Sequence, residues 1–290
     1  MKVDEKVIAI VGANQEQSLK AMATYKKKSG GHFLLYGEKE KIVSLAKVLN
    51  IDLEGTTIVD CEDEVEASHK AMEDAKENKI NLLMKGNTST GSFLAALLDK
   101  KYNLLEEGNN LSHVACIKLP YREKELFLSD AGVAIIPDIE KKVQIINNAL
   151  KVTNAVGIKE AKVALIAPIE KVNPKIVATT DASQIIFLHE STSLFKDALI
   201  GGPYPLDVAI SKEAAEAKGI NDGIAGDADV VIFNSLDAAN AAYKAFLTNP
   251  QIFSCGIIVG AKLPVILTSR FDFKESRIAS IELALKLKAD

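Results

Sequence analysis

The chain has 290 residues, room for two domains or one large one, and its 48% hydrophobic and 26% charged residues are the composition of a soluble folded protein. A net charge of −4 argues against nucleic acid or an anionic membrane as the main partner, and sparse aromatics without any Trp argue against a base-stacking platform. No apolar run is long enough to span a bilayer and the charged start Met1-Lys2-Val3-Asp4-Glu5-Lys6 has no signal-peptide pattern, so a cytoplasmic location is expected.

In chain order, short β-branched runs alternate with longer charged, helical patterns. Strands are expected at 7–11, 32–36, 57–59 and 80–84, and helices at 15–28, 40–49, 65–77 and 92–100. This βαβα rhythm implies a mostly parallel sheet covered on both faces. A further pair of strands follows at 114–119 and 126–128, then a long helix near 138–156. A second α/β block opens at 162–166, with strands at 198–202, 230–233 and 256–259 and Ala-rich helices at 212–218 and 236–247. The long helix reads as a connector, which gives one domain of residues 1–137 plus 264–290 and a second of 138–263.

Chemistry-bearing residues gather at the turns between these elements. Leu263-Pro264-Val265-Ile266-Leu267 ends in Thr268-Ser269-Arg270, and Asp272-Phe273-Lys274-Glu275 then has capping-box spacing before a helical pattern. Strand, polar turn and helix N-terminus together suit an anion, where Arg270 would supply a planar fork of donors; an ordinary capped loop is the alternative. The turn Lys85-Gly86-Asn87-Thr88-Ser89-Thr90-Gly91 also joins a strand to a helix and can offer hydroxyls and backbone N–H groups to a phosphate, or simply cap that helix with a serine or threonine. It is neither a P-loop nor a dinucleotide fingerprint. Ser112-His113 stands at a strand entrance, and Gly201-Gly202-Pro203 makes a rigid, side-chain-poor turn before Asp207. Asp227 and Asp229 are carboxylates two apart, open to acid–base work or to turn capping; Asn240 and Lys244 share a helix face. Cys61, Cys116 and Cys255 and the four histidines show no metal or disulfide spacing, so no metal is expected; Cys116 and Cys255 read as buried strand residues.

Over residues 80–287 these segments, in this order, resemble the phosphate acetyltransferase/butyryltransferase family, the butyryltransferase branch above all. Met84-Lys85-Gly86 with Thr90, Ser112-His113, Lys162-Val163-Ala164 with Glu170, and Gly202-Pro203 with Leu206-Asp207 carry the likeness. Ala214-Ala215 with Lys218-Gly219-Ile220, the run from Ala225 to Asp229, Asn240 with Tyr243-Lys244, and Leu267-Thr268-Ser269-Arg270 complete it.

The resemblance implies an α/β fold of two three-layer αβα domains, isocitrate/isopropylmalate dehydrogenase-like, with an active-site cleft between them and assembly as a homodimer or larger homo-oligomer. It implies transfer of a butyryl or branched short-chain acyl group from acyl-CoA to inorganic phosphate, with coenzyme A as substrate and no permanently bound cofactor. Ser269 and Arg270 match the turn that lies at the phosphate and thiol site. A candidate base aspartate of the acetyltransferase branch falls near Ser276, which leaves Asp207, Asp227 and Asp229 as alternatives. Other departures are Tyr204 and Val208, in place of a leucine and an asparagine, and Asn234-Ser235, in place of Pro-Asp. The candidate catalytic set is Ser269, Arg270 and Asp207. The candidate binding set is Lys85, Gly86, Thr88, Thr90, Ser112, His113, Gly202, Pro203, Asp227, Asp229, Asn240 and Lys244. A CoA- or acyl-CoA-binding protein that lost turnover is the second reading. A decarboxylating dehydrogenase is disfavoured, because neither an aspartate metal cluster nor a dinucleotide fingerprint is present.

Overall fold

The computed structural model describes residues 6–267 and 272–287. The chain forms two compact units, one drawn from residues up to Gly108 and from Cys255 onward, the other from Asn109 to Ser254.

In the first unit the chain runs through β1 (Val7–Val11), α1 (Glu16–Ser29), β2 (His32–Gly37), α2 (Lys39–Val48), β3 (Thr56–Asp60), α3 (Glu64–Lys76), β4 (Leu82–Lys85) and α4 (Thr90–Leu98). The second contains β5 (Ser112–Lys118), β6 (Leu126–Ser129), α5 (Ile139–Ala155), β7 (Ala161–Ile166), α6 (Val177–Thr192), β8 (Ala198–Tyr204), α7 (Leu206–Ile210), α8 (Lys212–Ala217), β9 (Val230–Ile232) and α9 (Leu236–Leu247). The chain ends in β10 (Phe253–Val259), β11 (Val265–Ile266) and α10 (Lys274–Ala284).

The sheet order in the first unit is β3-β2-β1-β4-β11-β10. Every pair is parallel except β10 with β11. The central strands β1 and β4 are apolar at nearly every position and buried on both faces, as a parallel strand under helices requires. Register pairs Ile8 with Leu82 and Val11 with Lys85, so the turns after β1 and β4 leave the sheet side by side. Asp63 starts α3 by accepting the N–H groups of Val65 and Glu66, each at 2.8 Å.

The second unit orders its strands β5-β6-β9-β7-β8. β5 is antiparallel to β6, and the other pairs are parallel. Its core packs Ile117, Leu126 and Leu128 with Ala164, Val231, Tyr204 and Val208. Asp138, Ser211 and Ser235 cap α5, α8 and α9 through their side chains.

Three differences from the sequence reading stand out. The expected boundaries at 137/138 and 263/264 fall later than the unit divisions at Gly108 and Ser254, because β5 pairs with β6 and β6 with β9. Helix α6 was not foreseen; it buries only Thr179, Ala182 and Ile185 and leaves Val177 and Phe187 exposed, so no single apolar stripe marks it. The helix expected at 212–218 is α8, and a second short helix, α7, precedes it, divided from it at Ser211, which caps α8.

Candidate active site

At the carboxyl edge of the first unit the turns after β1 and β4 touch through backbone. The N–H groups of Gly86 and Asn87 donate to the carbonyls of Val11 and Gly12, each at 2.7 Å. A Cβ at Gly86 would stand 2.3 Å from the Gly12 carbonyl oxygen, and one at Gly12 would stand 2.6 Å from the Asn87 carbonyl carbon. Both glycines are therefore required by this close approach. The partner turn, Gly12-Ala13-Asn14, was not singled out in the sequence, although a glycine closing an apolar strand is its signal.

Lys85 is buried at the end of β4, where its Nζ donates to the carbonyls of Thr88 (2.9 Å) and Gly86 (3.3 Å). This lysine braces the turn from beneath. Thr88 is buried, whereas Thr90 is exposed as the first residue of α4. Ser89 caps α4 by accepting the Ser92 N–H at 3.0 Å. An anion already occupies the N-terminus of this helix: the Glu64 carboxylate accepts the Ser89 N–H at 2.9 Å and the Ser92 hydroxyl at 3.1 Å. The Ser89 N–H is the chief reason that the Glu64 carboxyl lies below its usual range. The phosphate-cradle reading of this turn is corrected to that extent: its helix N-terminus is capped from α3.

Ser269 and Arg270 lie outside the described residues. Next to them, the expected capping box does not form. The N-cap of α10 is Phe273, without a side-chain cap, and the Lys274 N–H donates instead to Gln17 Oε1 of α1 at 3.2 Å. Arg277 is fully buried, its Nη1 donating to Ser18 Oγ (3.2 Å) and its Nε to the Asp272 carbonyl (3.3 Å). Burial lowers the guanidinium pKa. Ser276 is half-buried on the same helix.

The second unit collects more polar groups at its carboxyl edge. Ser112 and His113 begin β5 beside the end of β6, and both are buried. Ser112 Oγ accepts from Asn148 Nδ2 at 2.9 Å. The His113 ring lies against Tyr243, with centroids 6.0 Å apart. Asp130, which the sequence reading missed, organises this region. Its Oδ1 accepts the N–H groups of His113 (3.0 Å), Gly132 (2.9 Å) and Val133 (3.1 Å), and its Oδ2 accepts that of Ala134 (2.8 Å). An aspartate between an apolar strand and Ala-Gly was the available signal, an Asx-turn pattern. Asn240 donates to the Ala131 carbonyl at 2.9 Å, and Lys244 is exposed with its Nζ 5.5 Å from the Tyr243 ring centroid.

Also missed was Lys142, buried on α5, whose Nζ donates to the Asp181 carboxylate of α6 and to Asn234 Oδ1. A lysine inside the Ile139, Ile146, Ala149 and Thr153 stripe was its signal. At the end of β8 the peptide Gly202-Pro203 is cis. A Cβ at Gly202 would meet the Leu165 carbonyl oxygen at 2.7 Å, so internal packing demands that glycine, whereas one at Gly201 would meet the movable side-chain ends of Tyr204 (2.5 Å) and Ile224 (2.8 Å). Pro203 is buried, and Asp207 is exposed in the first turn of α7. Val208 is fully buried in the core.

Asp227 and Asp229 sit at the opposite edge, just before β9, where parallel sheets rarely bind ligands. Asp227 pairs with Lys124 (2.9 Å) and Lys162 (2.6 Å). Asp229 pairs with Lys124 (2.7 Å) and accepts the Lys162 N–H (2.8 Å). Burial would raise the Asp227 pKa, but the hydrogen bonds from the two lysines outweigh it and hold it at about 2. These two aspartates are structural anions that tie Lys124 to the start of β7, which corrects their grouping with the other binding candidates. Cys61 and Cys116 are buried, and Cys255 is only half-buried, contrary to expectation. Among the described residues no three His, Cys, Asp or Glu side chains are grouped to hold a metal, and no helix is long and apolar enough to cross a membrane.

Residues 62–284 match the family model described as phosphate acetyl/butaryl transferase. A phosphate butyryltransferase from Clostridium acetobutylicum is 34% identical over 279 residues, 96% of this chain and 92% of the relative. A phosphate acetyltransferase from Thermotoga maritima is 33% identical over 279 residues, 96% of this chain and 94% of the relative. The crystal structure of a branched-chain phosphotransacylase from Enterococcus faecalis V583 superposes with a TM-score of 0.84 at 28% identity, covering 97% of this chain and 98% of that one.

Proposed function

The chain belongs to the phosphate acetyltransferase/butyryltransferase family, and from that premise we propose that it moves a butyryl or branched short-chain acyl group between CoA and inorganic phosphate, reversibly. It is an acyltransferase on a dehydrogenase-like α/β fold. The finer reading rests on one observation above all. Lys85-Gly86, Ser112-His113 and Gly202-Pro203 with Asp207, matched from the sequence alone, all fall at carboxyl edges of their sheets, where α/β proteins bind ligands.

In the proposed reaction a phosphate oxygen attacks the thioester carbonyl, the tetrahedral oxyanion collapses, and CoA leaves as a thiolate. Phosphate is already anionic near neutrality, so this direction needs orientation more than a strong base. Arg270 would hold phosphate by paired hydrogen bonds, and Ser269 would donate to the oxyanion. Asp227 and Asp229, locked in ion pairs, are poorly suited to act as a base; exposed Asp207 on α7 is the better candidate among the three. Assembly as a homodimer or larger homo-oligomer belongs to the same reading, and sedimentation would test it.

The test is phosphate-dependent release of CoA thiol from butyryl-, isobutyryl-, isovaleryl- and acetyl-CoA. Release fastest with a four- or five-carbon acyl group supports the proposal, and Arg270→Ala should abolish it while leaving the circular dichroism native. Retained rate in that variant would remove Arg270 from its role. Ser276, where the acetyltransferase branch has a candidate base aspartate, favours the second reading, an acyl-CoA binder without turnover. Thermal stabilisation by CoA with no release would select it.

A further inference from the structure

Helix α10 begins without a cap of its own. Its N-cap residue, Phe273, is 71% exposed and makes no side-chain hydrogen bond to the first turn. The entry to the helix is held from α1 instead. Gln17 Oε1 accepts the Lys274 N–H at 3.2 Å, and Ser18 Oγ accepts from Arg277 Nη1 at the same distance. Ser18 is fully buried and donates in turn to Gln15 Oε1 at 2.9 Å, so this acceptor is fixed on its own helix. Arg277 also points its Nε back to the Asp272 carbonyl, at 3.3 Å, two residues beyond Arg270.

A guanidinium resists burial, and Arg277 is fully buried. Its planar fork serves two acceptors at once, one on α1 and one just before α10, which an apolar side chain of similar length could not do. What it joins lies along one edge of one sheet. Strands β1, β4 and β11 are neighbours in parallel register, with Val11 opposite Lys85 and Met84 opposite Ile266. The turns that follow them therefore leave at the same edge. The turn after β1 is bonded through backbone to Gly86 and Asn87 in the turn after β4, and it leads directly to Gln15 and Ser18. Arg277 extends this chain of contacts to Asp272, where the segment carrying Ser269 and Arg270 enters α10.

We propose that Arg277 is a positioning residue for acyl transfer, which sets the Ser269-Arg270 turn in register with the turn at 85–90. The inference rests on the reading above, in which Arg270 holds phosphate. Arg277 does not touch phosphate; it acts through Asp272 and the entry to α10.

The test compares wild type with Arg277→Met, Arg277→Lys and Arg270→Lys in phosphate-dependent release of CoA from butyryl-CoA. Arg277→Met keeps an apolar stem and removes both donations. Its kcat/KM for phosphate should fall about 10-fold or more, because a small misplacement of an orienting group slows the reaction steeply, while the KM for butyryl-CoA stays within about two-fold. Arg277→Lys keeps the charge and one donation and should recover about three-fold or more of that loss. Equal losses in the two variants, tracking a shared fall in Tm, would assign the arginine to structure alone and overturn the inference. If Arg277→Met does not fold, Ser18→Ala removes only the acceptor of Nη1 and should lower kcat/KM for phosphate about five-fold. A folded Arg277→Met within about two-fold of wild type, or in its place Ser18→Ala within about two-fold, also overturns it. Arg270→Lys separates the two failures. If it lowers kcat/KM for phosphate and the Arg277 variant does not, only the role of Arg277 falls. If it too leaves kcat/KM unchanged, the phosphate-holding role of Arg270 falls with it.

Discussion

Replacing Lys142 by Met tests whether the second unit depends on its buried ion pair. Lys142 is 3% exposed, and its Nζ is shared between the Asp181 carboxylate and Asn234 Oδ1. Methionine keeps the length and apolar stem but removes the charge. It leaves the Asp181 carboxylate without its lysine partner and deprives Asn234, next to the α9 cap Ser235, of its donor. Breaking a buried pair from one side costs about 3–5 kcal/mol. The Asp181 side chain keeps 19% exposure and can recruit water, so the expected loss is at the lower end, about 3 kcal/mol. Lys142→Met/Asp181→Leu removes both charges and should recover to within about 1 kcal/mol of wild type. Because two compact units need not unfold together, the assay is hydrogen exchange on peptides of α5 and α6, which reports the opening free energy of this unit. A single variant within 1 kcal/mol of wild type, or a double variant less stable than the single one, would refute the reasoning.

The Asp227 ion pairs give an acid-stability prediction. A pKa lowered from 3.8 to about 2 contributes stability that is fully present above about pH 4 and lost as pH falls toward 2. The nominal value of about 2 kcal/mol is cut to about 1 by the 36% exposure of that side chain. Asp227→Asn should therefore lower the urea midpoint at pH 7 and scarcely at pH 2, and a gap constant with pH would sink the assignment. Gly86→Ala forces a Cβ against backbone at 2.3 Å and should cost about 2–3 kcal/mol, read as a lower Tm; an unchanged Tm would show that the β1 and β4 turns can separate. Asp207→Asn should slow CoA release more than Asp227→Asn does, and the reverse order would return the base to the amino edge.

The repeating strands and helices were legible because a parallel sheet under helices imposes two plain periods, buried β-branched runs and amphipathic helices. Helix α6 was not, since Thr179, Ala182 and Ile185 bury one face while Val177 and Phe187 lie exposed on another. At the candidate site, glycine-bearing turns and hydroxyls could be read from their order. Asp130 and Lys142 could not be weighed, because their importance comes from partners far along the chain, such as His113 for one and Asn234 for the other. Asp227 and Asp229 misled for the same reason. Two carboxylates two residues apart carry one chemistry when free and another when Lys124 and Lys162 lie against them, and sequence spacing does not contain those lysines.

Proton bookkeeping decides how far the sequence departures matter. When the CoA thiol attacks acyl phosphate, a group near it must take its proton. By microscopic reversibility any group that does so returns the proton in the other direction, so its loss slows both directions together. Ser276 cannot fill that role, and Asp227 at a pKa of about 2 is too weak a base to fill it near neutrality. Val208 removes nothing from a site, because it is packed fully inside the core against Tyr204 and Val231. Of Val208 and Ser276, only the serine therefore bears on the proposed chemistry. It bears on proton transfer alone, while the proposed attack of anionic phosphate depends on the orientation that Arg270 would supply.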